Sequence, residues 1–298
     1  METRPRAPCI ICGEDIARFS FSKGNFHIYQ CTRCALRFVW PQPAGEAVAS
    51  LYGTDYFSGA REGFGYVDYD TDKAAMKKTF GRYLDLMGGA CAATGALLDV
   101  GAATGYFLSL ARDRGWRTSG VEISPYAAAH ARKKGFDVQT GTLETAAFSP
   151  ASFSAITVWD VIEHVADPST LLSRMHSLLL PNGMIALSTP DVGSMVARVL
   201  GKRWHAYVPP EHLWYFSGST MRRLLERNGF SDITVRKIGK RFTLAYMAKT
   251  LATTHPSRFA ALMASFIQKT GLGAIVIPFN LRDNIFVTAR KSAISARI

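Results

Sequence analysis

Two cysteine pairs, Cys9-x-x-Cys12 and Cys31-x-x-Cys34, are the first residues whose type and spacing point to chemistry. Four thiolates offered from two tight turns make a closed tetrahedral set that suits zinc and leaves no position open for catalysis. The alternative is a pair of disulfides, a pairing that belongs to oxidising compartments. Zinc held this way is structural, folding a segment with too few apolar residues to fold alone. The fifth cysteine, Cys91, reads as a small buried residue.

A second constellation starts at Leu97-Leu98-Asp99-Val100-Gly101-Ala102-Ala103-Thr104-Gly105-Tyr106-Phe107. An apolar run ending in Asp and Gly predicts a buried parallel strand, a glycine turn and a helix start, opening onto a ligand crevice. A dinucleotide site would want G-x-G-x-x-G, but the second and third of those positions are Ala103 and Tyr106. No Gly-Lys-Ser/Thr follows, so a Walker loop is excluded as well. Glu122 ends the next predicted strand about twenty residues beyond the turn, where a carboxylate can accept both hydroxyls of a ribose.

The remaining pattern, Asp-x-Gly-x-x-x-Gly, resembles motif I of the class I S-adenosylmethionine-dependent methyltransferases. Asp160-Val161-Ile162-Glu163-His164-Val165-x-Asp167-Pro168 is similar to the segment that follows in ubiquinone-pathway, sugar and natural-product members. Some relatives with a zinc ribbon ahead of motif I also carry Tyr-rich runs like Tyr52 to Tyr69 and a Pro-x-His-Leu-x-x-Phe-Ser segment, here Pro210 to Ser217. The resemblance implies S-adenosylmethionine as cofactor, held by Asp99, Gly101, Ala102, Gly105, Tyr106 and Phe107 in the turn. Glu122 and Ile123 would take the ribose side, Leu143 the adenine and Asp160 the sulfonium side. Tyr69, with Tyr66 beside it, would lie over the cofactor mouth, unless these rings pack the ribbon onto the main domain.

Residues for handling a proton follow. Asp160, Glu163 and His164 share one face if a helical turn begins at once. His164 could then act as a general base, or the three could hold a divalent cation that acidifies a bound hydroxyl. The matching metal motif of some relatives, Glu-x-x-Glu-His, has its first acid replaced by Asp160. Glu163 and His164 could instead simply order the loop. His212 is a second candidate base and His205 a third, each also readable as a packing histidine among aromatics.

These residues must be positioned by elements that alternate strand and helix from 96 to 240, an α/β pattern with helices on both faces of a sheet. By resemblance the sheet is the seven-stranded, Rossmann-like one of class I methyltransferases, with six parallel strands and one antiparallel. The strands read as Leu97–Val100, Thr118–Ile123, Phe136–Gly141, Ser154–Asp160, Met184–Pro190, Ile233–Ile238 and Asn284–Arg290. The helices read as Thr71–Met87, Phe107–Arg114, Ser124–Lys134, Pro168–Leu180 and Ser219–Asn228. The organisation is a zinc ribbon over 1–45, an aromatic and helical cap over 46–88 and a catalytic domain over 89–298. Within the last, 191–218 is a long aromatic loop read as a wall of the acceptor pocket, and 239–283 is a helical insertion read as a lid.

In that insertion Phe259, Leu262, Met263, Phe266 and Ile267 recur at helical spacing among Lys240, Arg241, Lys249, Arg258 and Lys269. The stripe could serve as a lid or a homodimer interface, or touch an anionic membrane or a lipid-linked acceptor.

At 298 residues, 48% hydrophobic and 19% charged, the chain can bury one large core plus a small module. No apolar run is long enough to span a bilayer and no secretion signal is evident, so a cytoplasmic protein is expected. A net charge of +12 favours an acidic partner such as a nucleotide-linked substrate, RNA or an anionic membrane. The reading preferred from the sequence is methyl transfer to a small-molecule, sugar- or lipid-linked acceptor, with O-methylation first. RNA methylation and a non-catalytic zinc-ribbon binding module are the alternatives.

Overall fold

Each cysteine pair closes a tight turn that needs a left-handed residue: Gly13 (φ 70°) donates its amide to the Cys9 carbonyl at 2.7 Å, and Ala35 (φ 64°) to that of Cys31 at 3.0 Å. The computed structural model describes residues 7–13, 15–43, 76–89, 94–245, 247, 248, 252, 257–279 and 281–292. Tyr66, Tyr69, Cys91 and Lys249 lie outside these residues. The first turn precedes β1 (Ala17–Lys23) of an antiparallel meander, and the second connects its next strands, β2 (Phe26–Cys31) and β3 (Arg37–Val39).

Helix α1 (Lys77–Gly88) buries Phe80, Tyr83, Leu84 and Met87, a spacing that gives one apolar face. Then β4 (Ala96–Val100), α2 (Tyr106–Arg112), β5 (Arg117–Glu122), α3 (Pro125–Lys133) and β6 (Asp137–Thr140) alternate as the sequence pattern requires. Ser124 caps α3 by accepting the Ala127 amide, with Pro125 at the first helical position, where its missing N–H leaves no hydrogen bond unmade. The chain continues through β7 (Phe153–Trp159), α4 (Pro168–Leu178), β8 (Leu179–Pro190), α5 (Met195–Leu200) and β9 (Trp214–Tyr215). Last come α6 (Gly218–Arg227), β10 (Phe230–Lys237), β11 (Lys240–Thr243), α7 (Arg258–Lys269), β12 (Val276–Phe279) and β13 (Asn284–Lys291).

The main sheet has seven strands in the order β10-β13-β8-β7-β4-β5-β6, with β13 antiparallel to both neighbours and the other pairs parallel. This is the expected six-plus-one arrangement. Because the chain runs outward one way through β4, β5 and β6 and the other way through β7 and β8, the order reverses between β4 and β7. A crevice opens at the carboxyl ends of strands at such a reversal. It places the turn after Val100 beside the turn after Trp159.

Three elements differ from the sequence pattern. Helix α4 stops at Leu178, not Leu180, because Leu179 is extended (ψ 139°) and pairs with Phe153. The long aromatic loop is not without regular structure: it contains α5 and the short strand β9. Residues Trp214 and Tyr215 pair with Phe38 and Arg37, making β9 the fourth strand of the ribbon sheet, in the order β1-β2-β3-β9. A two-residue strand carries no periodicity, so no sequence pattern announces it. The insertion is not purely helical either, since β11 and β12 form a two-stranded sheet around α7. On α7, Ile267 is buried while Leu262, Met263 and Phe266 are exposed.

The two faces of the sheet carry separate apolar clusters. One gathers α1, α2 and α3 around Leu97, Phe107, Trp159 and Phe286. The other joins α4 and α6 to the ribbon, so that Cys9, Cys31, Cys34 and Phe38 belong to the same buried cluster as Leu98, Ile156 and Leu187. Arg227 of α6 adds a hydrogen bond to the Ile11 carbonyl at 2.7 Å. Among the described residues no helix is long and apolar enough to cross a membrane.

Candidate functional site

The turn after β4 is tied to the end of β5. The amides of Gly101 and Ala102 donate to the Val121 carbonyl at 2.9 and 3.1 Å. The Glu122 carboxylate accepts the Ala103 amide on one oxygen at 2.9 Å and the Ser124 amide on the other at 2.8 Å. Gly101 and Gly105 adopt φ values of 78° and 82°. A Cβ at Gly101 would come within 2.6 Å of Val161, and one at Gly105 within 2.7 Å of Phe136. Only glycine combines the left-handed backbone with that approach. Ala103 takes the same left-handed region at φ 48°, held there by its bond to Glu122.

The sequence-predicted cofactor residues separate into two kinds. Asp99, buried at the end of β4, accepts a 2.6 Å hydrogen bond from Thr157 and locks β4 to β7. Phe107 packs against Phe80 and Trp159 in one apolar cluster, and Leu143 is buried in the cluster on the other face of the sheet. Ile123, next to Glu122, is 37% exposed and presents an apolar surface at the crevice edge. Each oxygen of Glu122 has a second lone pair and can accept a further hydroxyl.

Beyond the order reversal, Asp160 (φ 54°) turns the chain and accepts the Ser188 hydroxyl at 2.9 Å. The residues after it form turns, with the His164 amide donating to the Val161 carbonyl at 2.9 Å. The structure brings His164 and His212 together, their rings edge to face at 4.7 Å. Nδ1 of His164 lies 2.7 Å from the Glu211 carbonyl, and Nδ1 of His212 lies 2.8 Å from the Ala206 carbonyl. A carbonyl only accepts, so Nδ1 carries the hydrogen in both rings and the neutral ring has its lone pair on Nε2. Glu163 is buried, with one carboxylate oxygen 4.0 Å from Nε2 of His164.

Glu163, His164 and His212 therefore offer ligand atoms within 4.8 Å of one another. Asp160, expected as the third member, stands outside this group and His212 takes its place. The left-handed turn at Asp160 interrupts the helical spacing that would have aligned it with Glu163 and His164. His205, half-exposed, sits 3.4 Å from Asp283 and apart from the pair. Sequence reasoning missed Ala206 and Glu211, which act through main-chain carbonyls that no residue type marks.

In the ribbon, Cys9, Cys12, Cys31 and Cys34 present sulfurs within 4.8 Å of one another, and all four are free thiols. The closest contacts are 3.5 Å for Cys9 and Cys34 and 3.9 Å for Cys12 and Cys31. Tetrahedral zinc with bonds of about 2.3 Å sets its sulfurs about 3.8 Å apart. The spacing fits that ion and is far longer than a disulfide bond of about 2.05 Å. The contact between Cys9 and Cys34 lowers the Cys9 thiol and raises that of Cys34, as two sulfurs sharing one proton do.

A sequence model described as a methyltransferase domain matches residues 73–235, more than half of the chain. The chain belongs to the methyltransferase domain family. The ubiquinone biosynthesis O-methyltransferase of Idiomarina loihiensis is 29% identical over 154 residues, which cover 47% of this chain and 63% of that protein. The enzyme of the same name from Burkholderia ambifaria is 27% identical over 169 residues, covering 50% and 72%. Phosphoethanolamine N-methyltransferase 2 of Haemonchus contortus, solved in complex with S-adenosyl-L-methionine, superposes with a TM-score of 0.51. It is 18% identical, over 76% of this chain and 58% of that one. The YcgJ protein of Bacillus subtilis gives 0.51 at 18% identity, over 72% and 99%. These structures establish the shared class I methyltransferase fold, and the order reversal of this chain's sheet lies at the turn bound by Glu122.

Burial raises the Glu122 carboxyl above its ordinary value, against the amides of Ser124, Ala103 and Ile123, which lower it. A carboxyl raised on folding contributes stability below its unfolded value and loses that contribution as pH rises through the folded one. The unfolding free energy of the wild type minus that of Glu122→Gln should therefore fall as pH rises above the ordinary carboxylate range. Urea titrations of both proteins across that range check this; a difference independent of pH contradicts it.

Proposed function

We propose that this protein transfers a methyl group from S-adenosylmethionine to a hydroxyl of a small-molecule, sugar- or lipid-linked acceptor. The observation that carries this reading is the His164–His212 pair beside the Glu122-bound turn, across the order reversal of a methyltransferase sheet. The O-methyltransferase names of the curated relatives support oxygen as the acceptor atom.

The chain's residues fit the cofactor. Glu122 takes the ribose hydroxyls on its second lone pairs, and Ile123 offers an apolar face to the adenine. The glycine turn brings main chain, unobstructed by side chains at 101 and 105, to the crevice. S-adenosylmethionine, when bound, supplies a methyl group already activated by the sulfonium, so alignment of the acceptor does much of the remaining work. A hydroxyl still has to lose its proton, and Nε2 of His164 or His212 is the accepting atom that the Nδ1 bonds prescribe.

A second reading is favoured by one observation, the buried carboxylate of Glu163 beside both rings. Glu163, His164 and His212 would then hold a divalent cation, which would acidify an acceptor hydroxyl bound to it. The carbonyl partners of both Nδ1 atoms suit metal-ligating histidines.

Calorimetry with S-adenosylmethionine separates cofactor from acceptor residues. Glu122→Ala should weaken binding roughly tenfold to hundredfold, the loss of charge-assisted bonds of about 1.5–3 kcal/mol. His164→Ala and His212→Ala should bind the cofactor normally. Tritium from methyl-labelled S-adenosylmethionine should enter the small-molecule or lipid fraction of a cell extract. Loss of the base should reduce that rate by roughly 10²–10⁴-fold. A wild type that binds no cofactor, or two histidine variants with full transfer, overturns the reading, and label found only in RNA overturns the acceptor class.

The ribbon cysteines are assigned a structural zinc ion. Metal analysis of the purified protein should find a single zinc per chain, and Cys34→Ser should lose it and lower Tm. A wild type without zinc, with all four thiols titratable, contradicts the assignment.

A further inference from the structure

The loop that carries His212 is held from the ribbon as firmly as from the main sheet. On the sheet side, the amides of Leu213 and Trp214 donate to the Glu163 carbonyl at 2.9 and 3.2 Å, and the Trp214 indole donates to the Val165 carbonyl at 2.8 Å. On the ribbon side, the Val39 amide donates to the Leu213 carbonyl at 2.9 Å, and β3 pairs with β9. The residues immediately after His212 are thus clamped between the zinc ribbon and the turn that carries Glu163 and His164.

The ribbon also reaches the other end of the loop. Arg37, in β3, donates from its guanidinium to the Tyr207 hydroxyl at 2.6 Å and is itself oriented by Gln30 at 3.0 Å. The Tyr207 ring is buried, with Phe21 of β1 at 4.9 Å and Tyr215 at 4.6 Å, both edge to face. Tyr207 follows directly on Ala206, whose carbonyl is the partner of Nδ1 in His212. Fixing the Tyr207 side chain fixes the peptide that decides which nitrogen of His212 carries the hydrogen.

We propose that Arg37 is a positioning residue for His212, acting through Tyr207 and the Ala206 carbonyl, so that the ribbon sets the tautomer of a residue in the acceptor site. The role of His212 in the acceptor site rests on the function proposed above; the hydrogen-bond chain itself does not. The ribbon then serves the acceptor side specifically, since the hydrogen bonds of the Gly101–Ala103 amides and of the Glu122 carboxylate lie on the opposite side of the order reversal and, among the described residues, involve none of the ribbon. Displacing a reacting group by about 1 Å can lower turnover by about a hundredfold.

The test is the tautomer of His212, read from nitrogen-15 spectra of histidine-labelled full-length protein, with the His212 signals assigned by loss in His212→Asn. In the wild type the neutral ring should be present as the Nδ1–H form alone. Arg37→Met and Tyr207→Phe should both admit the Nε2–H form, while Arg37→Lys, which keeps a donor to Tyr207, should restore the single form at least in part. Affinity for S-adenosylmethionine should be the same in all four proteins, and methyl transfer in the two disrupted variants should fall by up to about a hundredfold. Tyr207→Phe removes a single oxygen and is the decisive variant: a His212 that keeps one tautomer in it overturns the proposal, whatever Arg37→Met does. Cofactor binding by the wild type is measured separately, so a failure of the proposed function shows there and not in the spectra.

Discussion

The end of β5 holds the catalytic half of this molecule in register. Its Val121 carbonyl takes the amides of Gly101 and Ala102, and its Glu122 carboxylate takes that of Ala103, from the same turn, and that of Ser124, at the start of α3. A buried carboxylate is expensive to desolvate, and the bonds to Ala103 and Ser124 offset that expense only while both segments stay in place. One side chain therefore couples a left-handed glycine turn, a neighbouring strand and the entry to a helix. Moving any of them exposes the others to an uncompensated buried group, which makes the crevice a property of the whole sheet edge.

Across the order reversal a different constraint operates. The Glu163 carbonyl takes the Leu213 and Trp214 amides and the Val165 carbonyl takes the Trp214 indole, which presses the loop against the post-β7 turn, and the ribbon closes it from outside. The two histidines meet because their backbones are joined there, Leu213 to Glu163, each neighbouring its histidine in sequence. The cysteine ribbon consequently packs on the side of the sheet that carries the two histidines and shares its core. Cys9, Cys31 and Cys34 pack in the cluster that also contains Leu213, Trp214 and Phe216.

Much of this was readable from residue types, and the limits have physical causes. The strand-turn-helix at Asp99 to Phe107, the carboxylate at Glu122 and the cysteine knuckles each combine a local pattern with a chemical demand, and the structure places them as the patterns require. The seven-stranded order follows from the alternation of elements together with the family resemblance. What the sequence did not show is set by main-chain geometry at long range. Asp160 drops out of the expected trio because a left-handed residue breaks the helical spacing. His212 joins His164 through carbonyls of Ala206 and Glu211, whose side chains carry no signal. Strand β9 exists because β3 offers it an edge, and two residues are too few to show a period. Leu143 and Phe107 are both buried, in the clusters on opposite faces of the sheet, and an apolar side chain at a turn fits a core or a ligand wall equally well in a one-dimensional pattern.

The central claim is that the β5-bound turn and Glu122 form the cofactor site. Amide hydrogen exchange with and without S-adenosylmethionine tests it most directly, because the method reads each segment without needing the acceptor. Protection on adding the cofactor should appear at residues 101–106 and 122–124, flanking the carboxylate, with the ribbon strands unchanged. Protection absent from those segments, or confined to the ribbon or to α7, would contradict it.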